Sequence, residues 1–251
     1  MTDRPVLAVE HLAFTIGGAH IIDDVTLEVA KGEMLGVIGP NGAGKTTLFN
    51  LISGVVRPTS GRILMEGKDV SATAIHQRAR AGLGRTFQTS SLFPALTALE
   101  NVRLAAQVRL GSPISVVRFP RTTDDASRAA RVGLDEVGLS HHAETVAGVL
   151  SHGDKRKLEI AMLLATDPRV ILLDEPMAGV ASGDVAGLSE VIHQVHASGR
   201  TVLMVEHHMD VVLGLVDRVA VMHHGQLLAC DTPAAVMADA AVQSAYLGEP
   251  L

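Results

Sequence analysis

The stretch GPNGAGKT (residues 39–46) matches the pattern G-x-x-x-x-G-K-[ST] of a phosphate-binding loop. It follows the apolar run MLGVIG (34–39), which predicts a short strand, and leads into KTTLFNLISG (45–54), which predicts a helix ended by Gly54. The loop requires this context, because its glycines turn backbone N–H groups toward a phosphate that also faces the helix N-terminus. The stretch therefore predicts an α/β nucleotide-binding fold.

Two residues of this loop have different expected ligands. Lys45 is expected to reach the β- and γ-phosphates, and Thr46 to ligate Mg²⁺. The whole phosphate-binding set predicted here is Gly39, Pro40, Asn41, Gly42, Ala43, Gly44, Lys45, Thr46 and Thr47.

A second acidic motif, VILLDEP (170–176), complements the loop. Its apolar run predicts a buried strand, and Asp174 ends that strand, where ligands of open α/β sheets bind. We expect Asp174 to hold Mg²⁺ and the next residue, Glu175, to act as the general base toward a water molecule. The alternative is a solvated acidic pair that simply ends a strand.

Strand-like and helix-like segments alternate along the chain, which predicts a mostly parallel sheet with helices on its faces. The N-terminal segments PVLAVEHLAFTI and IIDDVTLEVAKGE predict strands joined by a turn at Gly17 and Gly18. Further strands are predicted at GRILMEGKDV, 169–174, 201–206 and 218–225, and helices at 97–109, 125–137, 151–166 and 184–197.

Composition limits the class of protein. The net charge of −6 argues against binding nucleic acid, which needs a clustered positive surface. Cys230 is the only cysteine, so no intrachain disulfide can form and a reducing, cytoplasmic setting is expected. No apolar run approaches the ~20 residues of a membrane span, and the N-terminus lacks a signal pattern.

The stretch LSHGDKRKLEIA (150–161) predicts a helix that begins with a cap. Ser151 and Asp154 have the spacing of a capping box, while Gly153 is costly in a first turn. The basic run 155–157 is expected to be a solvated face or a subunit contact.

Taken together, GPNGAGKT, LSHGD (150–154) and VILLDE resemble the ATP-binding-cassette (ABC) ATPase family over almost the whole chain. In that family the signature, usually Leu-Ser-Gly-Gly-Gln, faces ATP held by a partner subunit. The resemblance thus implies that Ser151, His152, Gly153 and Asp154 contact the ATP of a second ATPase subunit, in a homodimer or a heterodimer. It would also explain Gly153 by close approach of its backbone to phosphate.

Two further positions follow from the resemblance. Gln88, in GRTFQTSSLFP, corresponds to the glutamine near Mg²⁺ and the membrane partner, and His207, in MVEHHMD, to the histidine that contacts the γ-phosphate. The alternative for the second stretch is a metal site built from Glu206, His207, His208 and Asp210. The pairs His141–His142 and His223–His224 are expected on the surface or in turns.

The chain also departs from the family pattern. Ile16 lies where an aromatic residue of the family usually stacks on adenine. Phe14 is two residues earlier and is therefore expected on the same face of the strand. Ala181 replaces the polar residue that usually links the two ATP sites. The resemblance therefore implies an apolar contact of Ile16 with the base in place of stacking, and altered coupling between the two ATP sites.

The predicted fold is α/β: an ABC nucleotide-binding domain with an N-terminal antiparallel β-subdomain and a helical insertion. Residues 1–94 and 167–251 are expected to form the core with the β-subdomain, and about 95–166 the helical subdomain that carries the signature.

LSHGDKRKLEIAMLL, EPMAG, VEHHMDVV and AYLGE are similar to ATPase subunits of branched-chain amino acid-type importers. Such a subunit works at the inner face of the membrane with permeases and, indirectly, an external solute-binding protein. The alternatives are lipopolysaccharide export, a scaffold for metal-cluster assembly, and an ABC ATPase acting on DNA or ribosomes.

Overall fold

A computed structural model describes residues 4–86, 91–110, 125–207 and 209–247. Their Cα positions group into two compact units. The first comprises 4–85, 169–175 and 199–247; the second comprises the described parts of 86–168 together with 176–198. The second unit contains the predicted helical subdomain and also residues 176–198, which sequence analysis assigned to the core. The domain limits remain a prediction.

The strands form two sheets. Their bounds are β1 Leu7–Ile16, β2 Ala19–Val29, β3 Met34–Ile38, β4 Ser60–Met65, β5 Lys68–Asp69, β6 Leu83–Arg85, β7 Val170–Asp174, β8 Thr201–Val205, β9 Arg218–His223 and β10 Gln226–Asp231. The β2-β1-β4-β5 sheet is antiparallel. In the β10-β9-β3-β8-β7-β6 sheet every neighbouring pair is parallel except β10 with β9.

The α-helices in the described part of the chain are α1 Lys45–Ser53, α2 Ile75–Arg80, α3 Ala98–Leu110, α4 Asp125–Glu136, α5 His152–Leu164, α6 Ser182–Ala197, α7 Met209–Leu215, α8 Pro233–Ala238 and α9 Ala240–Leu247. The residues described include no helix long and apolar enough to cross a membrane.

The centre of the parallel sheet explains why the apolar runs of the sequence are uninterrupted. Every residue of β3, β7 and β8 is buried. A strand in the middle of such a sheet is covered on both faces, so apolar side chains are favoured at each position rather than at alternate ones. The predicted sheet and the N-terminal antiparallel strands are both confirmed.

Sequence analysis missed several short elements, among them α2, β6 and β10. Helix α2 has six residues and strand β6 only three, and such short segments show no periodic pattern. The omission matters because each of these two elements carries an arginine that contacts helix α1.

Arg78 of helix α2 holds the C-terminal end of α1. Its side chain is buried, and its guanidinium donates hydrogen bonds to the carbonyl oxygens of Leu51, Ile52 and Ser71. Helix C-termini leave carbonyl groups without intrahelical partners and favour a positive charge. Burial lowers the pKa of the Arg78 guanidinium below its usual value, an effect partly opposed by Asp69. Arg78 therefore fixes the helix that follows the loop.

In the second unit, helices α3, α4 and α5 pack on one another, and α5 also packs on α6. The buried Asn101 of α3 ties the preceding segment to this bundle. Its side-chain oxygen accepts from the N–H of Phe93, and its amide nitrogen donates to the carbonyls of Phe93 and Thr97.

We predict that Arg78→Met lowers the free energy of unfolding by about 2–4 kcal/mol, because it leaves buried carbonyl groups without donors. Arg80→Met, at an exposed position of the same helix, is the matched control and should stay within about 0.5 kcal/mol of wild type. Urea unfolding followed by circular dichroism measures both. Equal midpoints for the two variants would contradict the role of Arg78.

Candidate nucleotide-binding site

The backbone of the loop is shaped by a neighbouring strand. Gly39 has φ +151°, and a Cβ at this position would lie 2.1 Å from the carbonyl oxygen of Met222 in β9. The hairpin after β9 also contributes, since the N–H of Gly225 donates to the carbonyl of Ala43 at 3.1 Å. The loop therefore rests on backbone that lies far from it in sequence, and no side chain fits at Gly39.

Lys45 lies at the start of helix α1 with its amine against the loop. Its Nζ donates to the carbonyl oxygens of Gly39 at 2.6 Å and Pro40 at 2.9 Å. Burial lowers the pKa of the Lys45 amine, and the nearby charge of Glu175 opposes this effect. The predicted phosphate-binding lysine and the predicted general base are thus electrostatic neighbours within one unit.

Glu175 and His207 form a pair. Glu175 Oε1 and His207 Nε2 are 2.9 Å apart, and since a carboxylate only accepts hydrogen bonds, the imidazole N–H is the donor. The backbone at Glu175 is left-handed, with φ +48°, and its N–H donates to the carbonyl of Val205 in β8. Such strain in a non-glycine residue is typical of functional sites. The backbone N–H of His207 is held by the buried carboxylate of Glu206 at 3.0 Å.

Asp174 contacts an arginine that sequence analysis did not consider. Arg85, the last residue of β6, donates to Asp174 Oδ2 at 2.6 Å. The same guanidinium donates to Asn50 Oδ1 at 2.8 Å and to Ser53 Oγ at 2.7 Å, both in helix α1. It also lies 5.9 Å from the centre of the Phe49 ring. Arg85 therefore connects the helix after the loop to the strand that presents Asp174.

The donor set fits a nucleotide with Mg²⁺. Mg²⁺ in proteins is usually held by one or two carboxylates together with substrate phosphates. Asp174 supplies a buried carboxylate at the carboxyl end of its strand, and Thr46 is an exposed hydroxyl residue in the first turn of α1. The described residues contain no group of three or more His, Cys, Asp and Glu side chains that would hold a metal without phosphate.

Other predicted positions have mixed outcomes. Ile16 is 59% exposed at the end of β1, whereas Phe14 is partly buried against the core. That these two residues share a strand face stays a prediction; β1 pairs irregularly with β2 on either side of Phe14. Gln88 and His208 lie outside the described residues. The alternative metal site includes His208 and so lies partly outside the described residues. The imidazole of His207 contacts Glu175.

Helix α5 begins as the sequence predicted, with Ser151 as its cap. The Oγ of Ser151 accepts from the N–H of Asp154 at 3.0 Å and donates to Asp154 Oδ2 at 2.8 Å. Only half of a capping box is formed, because the Asp154 carboxylate accepts from the Ser151 hydroxyl and not from the backbone N–H of Ser151. His152 is exposed in the first turn.

Gly153 has an explanation within the chain itself. A Cβ at Gly153 would lie 3.0 Å from Oδ2 and 2.9 Å from Cβ of Asp184, in the first turn of α6. The absent side chain lets the two helix N-termini approach each other, in addition to any approach of a phosphate. Helix α6 has Ala181 at its N-cap, which provides no side-chain hydrogen bond.

The basic run after Asp154 differs from the expected solvated face. All three side chains are only partly exposed. Lys155 Nζ donates to the carbonyl of Gly148, Arg156 pairs with Glu159 at 2.8 Å, and the Lys157 amine lies over Gly187 of helix α6. Lys155 and Lys157 thus contact neighbouring segments of the second unit, while Arg156 pairs within its own helix. The histidine pairs behave as predicted: His141–His142 lies in a 3₁₀ turn, and His223–His224 at the β9–β10 turn.

The strand–loop–helix, the buried Asp174 and the Glu175–His207 pair together define a P-loop nucleoside triphosphatase. Residues 22–178 match the ABC transporter family, and residues 226–250 match the branched-chain amino acid ATP-binding cassette transporter family. The chain belongs to the ABC transporter family, and its activity is that of an ATPase.

Curated relatives match nearly the whole chain. The high-affinity branched-chain amino acid transport ATP-binding protein LivG of Escherichia coli K12 is 37% identical over 98% of this chain and 99% of its own length. BraF of Pseudomonas aeruginosa, with the same description, is 38% identical over 98% and 99%. The lipopolysaccharide export system ATP-binding protein LptB of Haemophilus influenzae is 35% identical over 97% and 98%.

A solved structure supports the fold. The ADP conformation of MJ1267, an ATP-binding cassette of an ABC transporter, has a TM-score of 0.85 and 32% sequence identity, covering 98% of this chain and 99% of that one. The ABC ATPase fold predicted from the sequence is confirmed.

We predict that Gly39→Ala weakens ATP binding by about tenfold to a hundredfold, because the added Cβ forces the loop away from Met222 at a strained φ. Gly214→Ala is the control, since a Cβ there meets no neighbour and its φ is ordinary. Titration with a fluorescent ATP analogue measures both. Wild-type affinity in Gly39→Ala would show that the loop does not depend on this contact.

Proposed function

We propose that this chain is the ATP-hydrolysing motor of an ABC importer. In this proposal the loop residues 39–47 bind the phosphates, Glu175 removes a proton from the attacking water, and His207 contacts the γ-phosphate. The observation that carries it is the 2.9 Å contact between Glu175 and His207 beside the buried Lys45. The contact fixes the direction of the carboxylate that would act as the base.

We assign Mg²⁺ binding to Thr46, Asp174 and Gln88. When bound, Mg²⁺ neutralises charge on the β- and γ-phosphates. Lys45 would supply a further positive charge near the γ-phosphate. Asp174 is supported by its place at the end of a buried strand, and Gln88 by the family resemblance alone.

We predict that Glu175→Gln lowers the ATPase rate by about 10²- to 10⁴-fold while ATP still binds, because the amide cannot accept the proton but keeps the shape of the side chain. Phosphate release and a binding titration measure the two effects separately. Glu190→Gln, at an exposed position on α6, is the control and should keep the wild-type rate. A normal rate in Glu175→Gln would remove Glu175 from the role of base.

We further propose that Ser151, His152, Gly153 and Asp154 face the ATP of a second ATPase subunit. The support is a helix N-terminus whose first-turn backbone can approach a phosphate. Asp154 places a carboxylate there in place of the family's glutamine, and the Ser151 hydroxyl already donates to it. This signature is therefore expected to attract the γ-phosphate less strongly than the usual one.

We predict that Asp154→Gln strengthens ATP-dependent dimerisation by about fivefold, since removing one negative charge near a phosphate is worth roughly 1 kcal/mol at a solvated surface. The measurement is analytical ultracentrifugation with ATP in the Glu175→Gln background. Glu144→Gln, an exposed acidic residue elsewhere in the second unit, controls for net charge. Equal or weaker dimerisation in Asp154→Gln would contradict this account of the signature.

Import of branched-chain amino acids or related small polar solutes is the transport activity we propose. The similarity to LivG and BraF supports it, as does the family match of residues 226–250. In this proposal the chain lies at the inner face of the membrane, bound to permease subunits. Lipopolysaccharide export is the second candidate, supported by the 35% identity to LptB.

Reconstitution distinguishes the two activities. The chain is co-expressed with candidate permease subunits and placed in proteoliposomes with a candidate solute-binding protein. We expect the ATPase rate to rise when leucine is present with the binding protein. Stimulation by lipopolysaccharide instead would favour export.

A further inference from the structure

Arg85 lies at the junction of two elements that carry the nucleotide site. Its side chain is only 6% exposed, and the side chain of Asp174, its ion-pair partner, is 1% exposed. Its other two hydrogen bonds go to Asn50 and Ser53 on helix α1. One guanidinium thus holds three acceptors on two elements, α1 and β7, in a fixed planar geometry.

The contact with Asp174 is short and direct, at 2.6 Å to Oδ2. A buried carboxylate needs a compensating partner, and a hydrogen bond from an anchored guanidinium restricts where the bonded carboxylate oxygen can lie. The contacts to α1 in turn prevent the guanidinium from following a rotation of Asp174. The direction of the Asp174 carboxylate is therefore set relative to helix α1, the helix that begins with Lys45 and Thr46.

We propose that Arg85 is a positioning residue for Mg²⁺ binding: it orients Asp174 relative to the helix that carries Thr46. Arg85 does not touch the metal or the nucleotide in this proposal. It acts as the outer partner of a metal ligand, a class of residue whose loss typically costs about 10- to 100-fold in metal affinity. The proposal rests on the assignment of Asp174 as a Mg²⁺ ligand.

The test separates metal binding from nucleotide binding in the full-length protein. ADP affinity is measured in EDTA with a fluorescent ADP analogue, and Mn²⁺ affinity of the ADP complex is measured by electron paramagnetic resonance. We expect Arg85→Gln to weaken Mn²⁺ binding by about 10- to 100-fold, well beyond any loss of ADP affinity in EDTA. Arg62→Gln, which removes the arginine of the more exposed Arg62–Glu10 pair, should change neither quantity.

Two milder variants keep the test decisive if Arg85→Gln does not fold. Arg85→Lys retains the charge but loses the planar fork, so we expect a smaller loss of Mn²⁺ affinity than for Arg85→Gln. Asn50→Ala removes one anchor of the guanidinium and should shift Mn²⁺ affinity in the same direction.

The outcomes are distinguishable. Asp174→Asn with undiminished Mn²⁺ affinity would remove Asp174 from the metal site and so defeat the underlying assignment. Loss of Mn²⁺ binding in Asp174→Asn, together with unchanged or tighter binding in the Arg85 variants, would overturn the role of Arg85 alone. An equal loss of ADP affinity in EDTA and of Mn²⁺ affinity would show that Arg85 merely supports the fold of helix α1.

Discussion

The position of helix α1 is the constraint on which the nucleotide site depends. The helix carries Lys45 and Thr46 at one end, and its C-terminal half is held by two arginines from outside the helix. Arg78 bonds the carbonyl groups of its last turn, and Arg85 bonds Asn50 and Ser53. A helix anchored at one end by its loop and at the other by buried charge has little freedom to shift, so its N-terminus keeps its place relative to β7.

The two arginines act in different ways. Arg78 meets carbonyl oxygens and the partial negative charge of a helix end, so its role is confined to stability. Arg85 meets the full negative charge of Asp174, to which we assign Mg²⁺ binding. One arginine, Arg78, thus caps the end of a helix, and the other, Arg85, contacts a residue of the candidate site. What separates them is the partner atom rather than the degree of burial.

Local patterns made much of this architecture predictable. The loop, the strand before it and the helix after it are encoded in adjacent residues, as is the strand that ends at Asp174. The contacts that complete the site join distant positions: Arg85 bonds Asp174 across 89 residues, and His207 bonds Glu175 across 32. A single sequence carries no periodic signal for such pairs. The family resemblance supplied His207, but it offered nothing for Arg85.

The support of Gly39 by Met222 also bears on how the chain matures during synthesis. The loop is synthesised before β9, the strand that underlies it, and the two are far apart in the sequence. A nascent chain that already displays every nucleotide-binding motif therefore still lacks the surface that gives the loop its shape. The loop is therefore expected to take its observed shape only after β9 has been synthesised and has folded beside it.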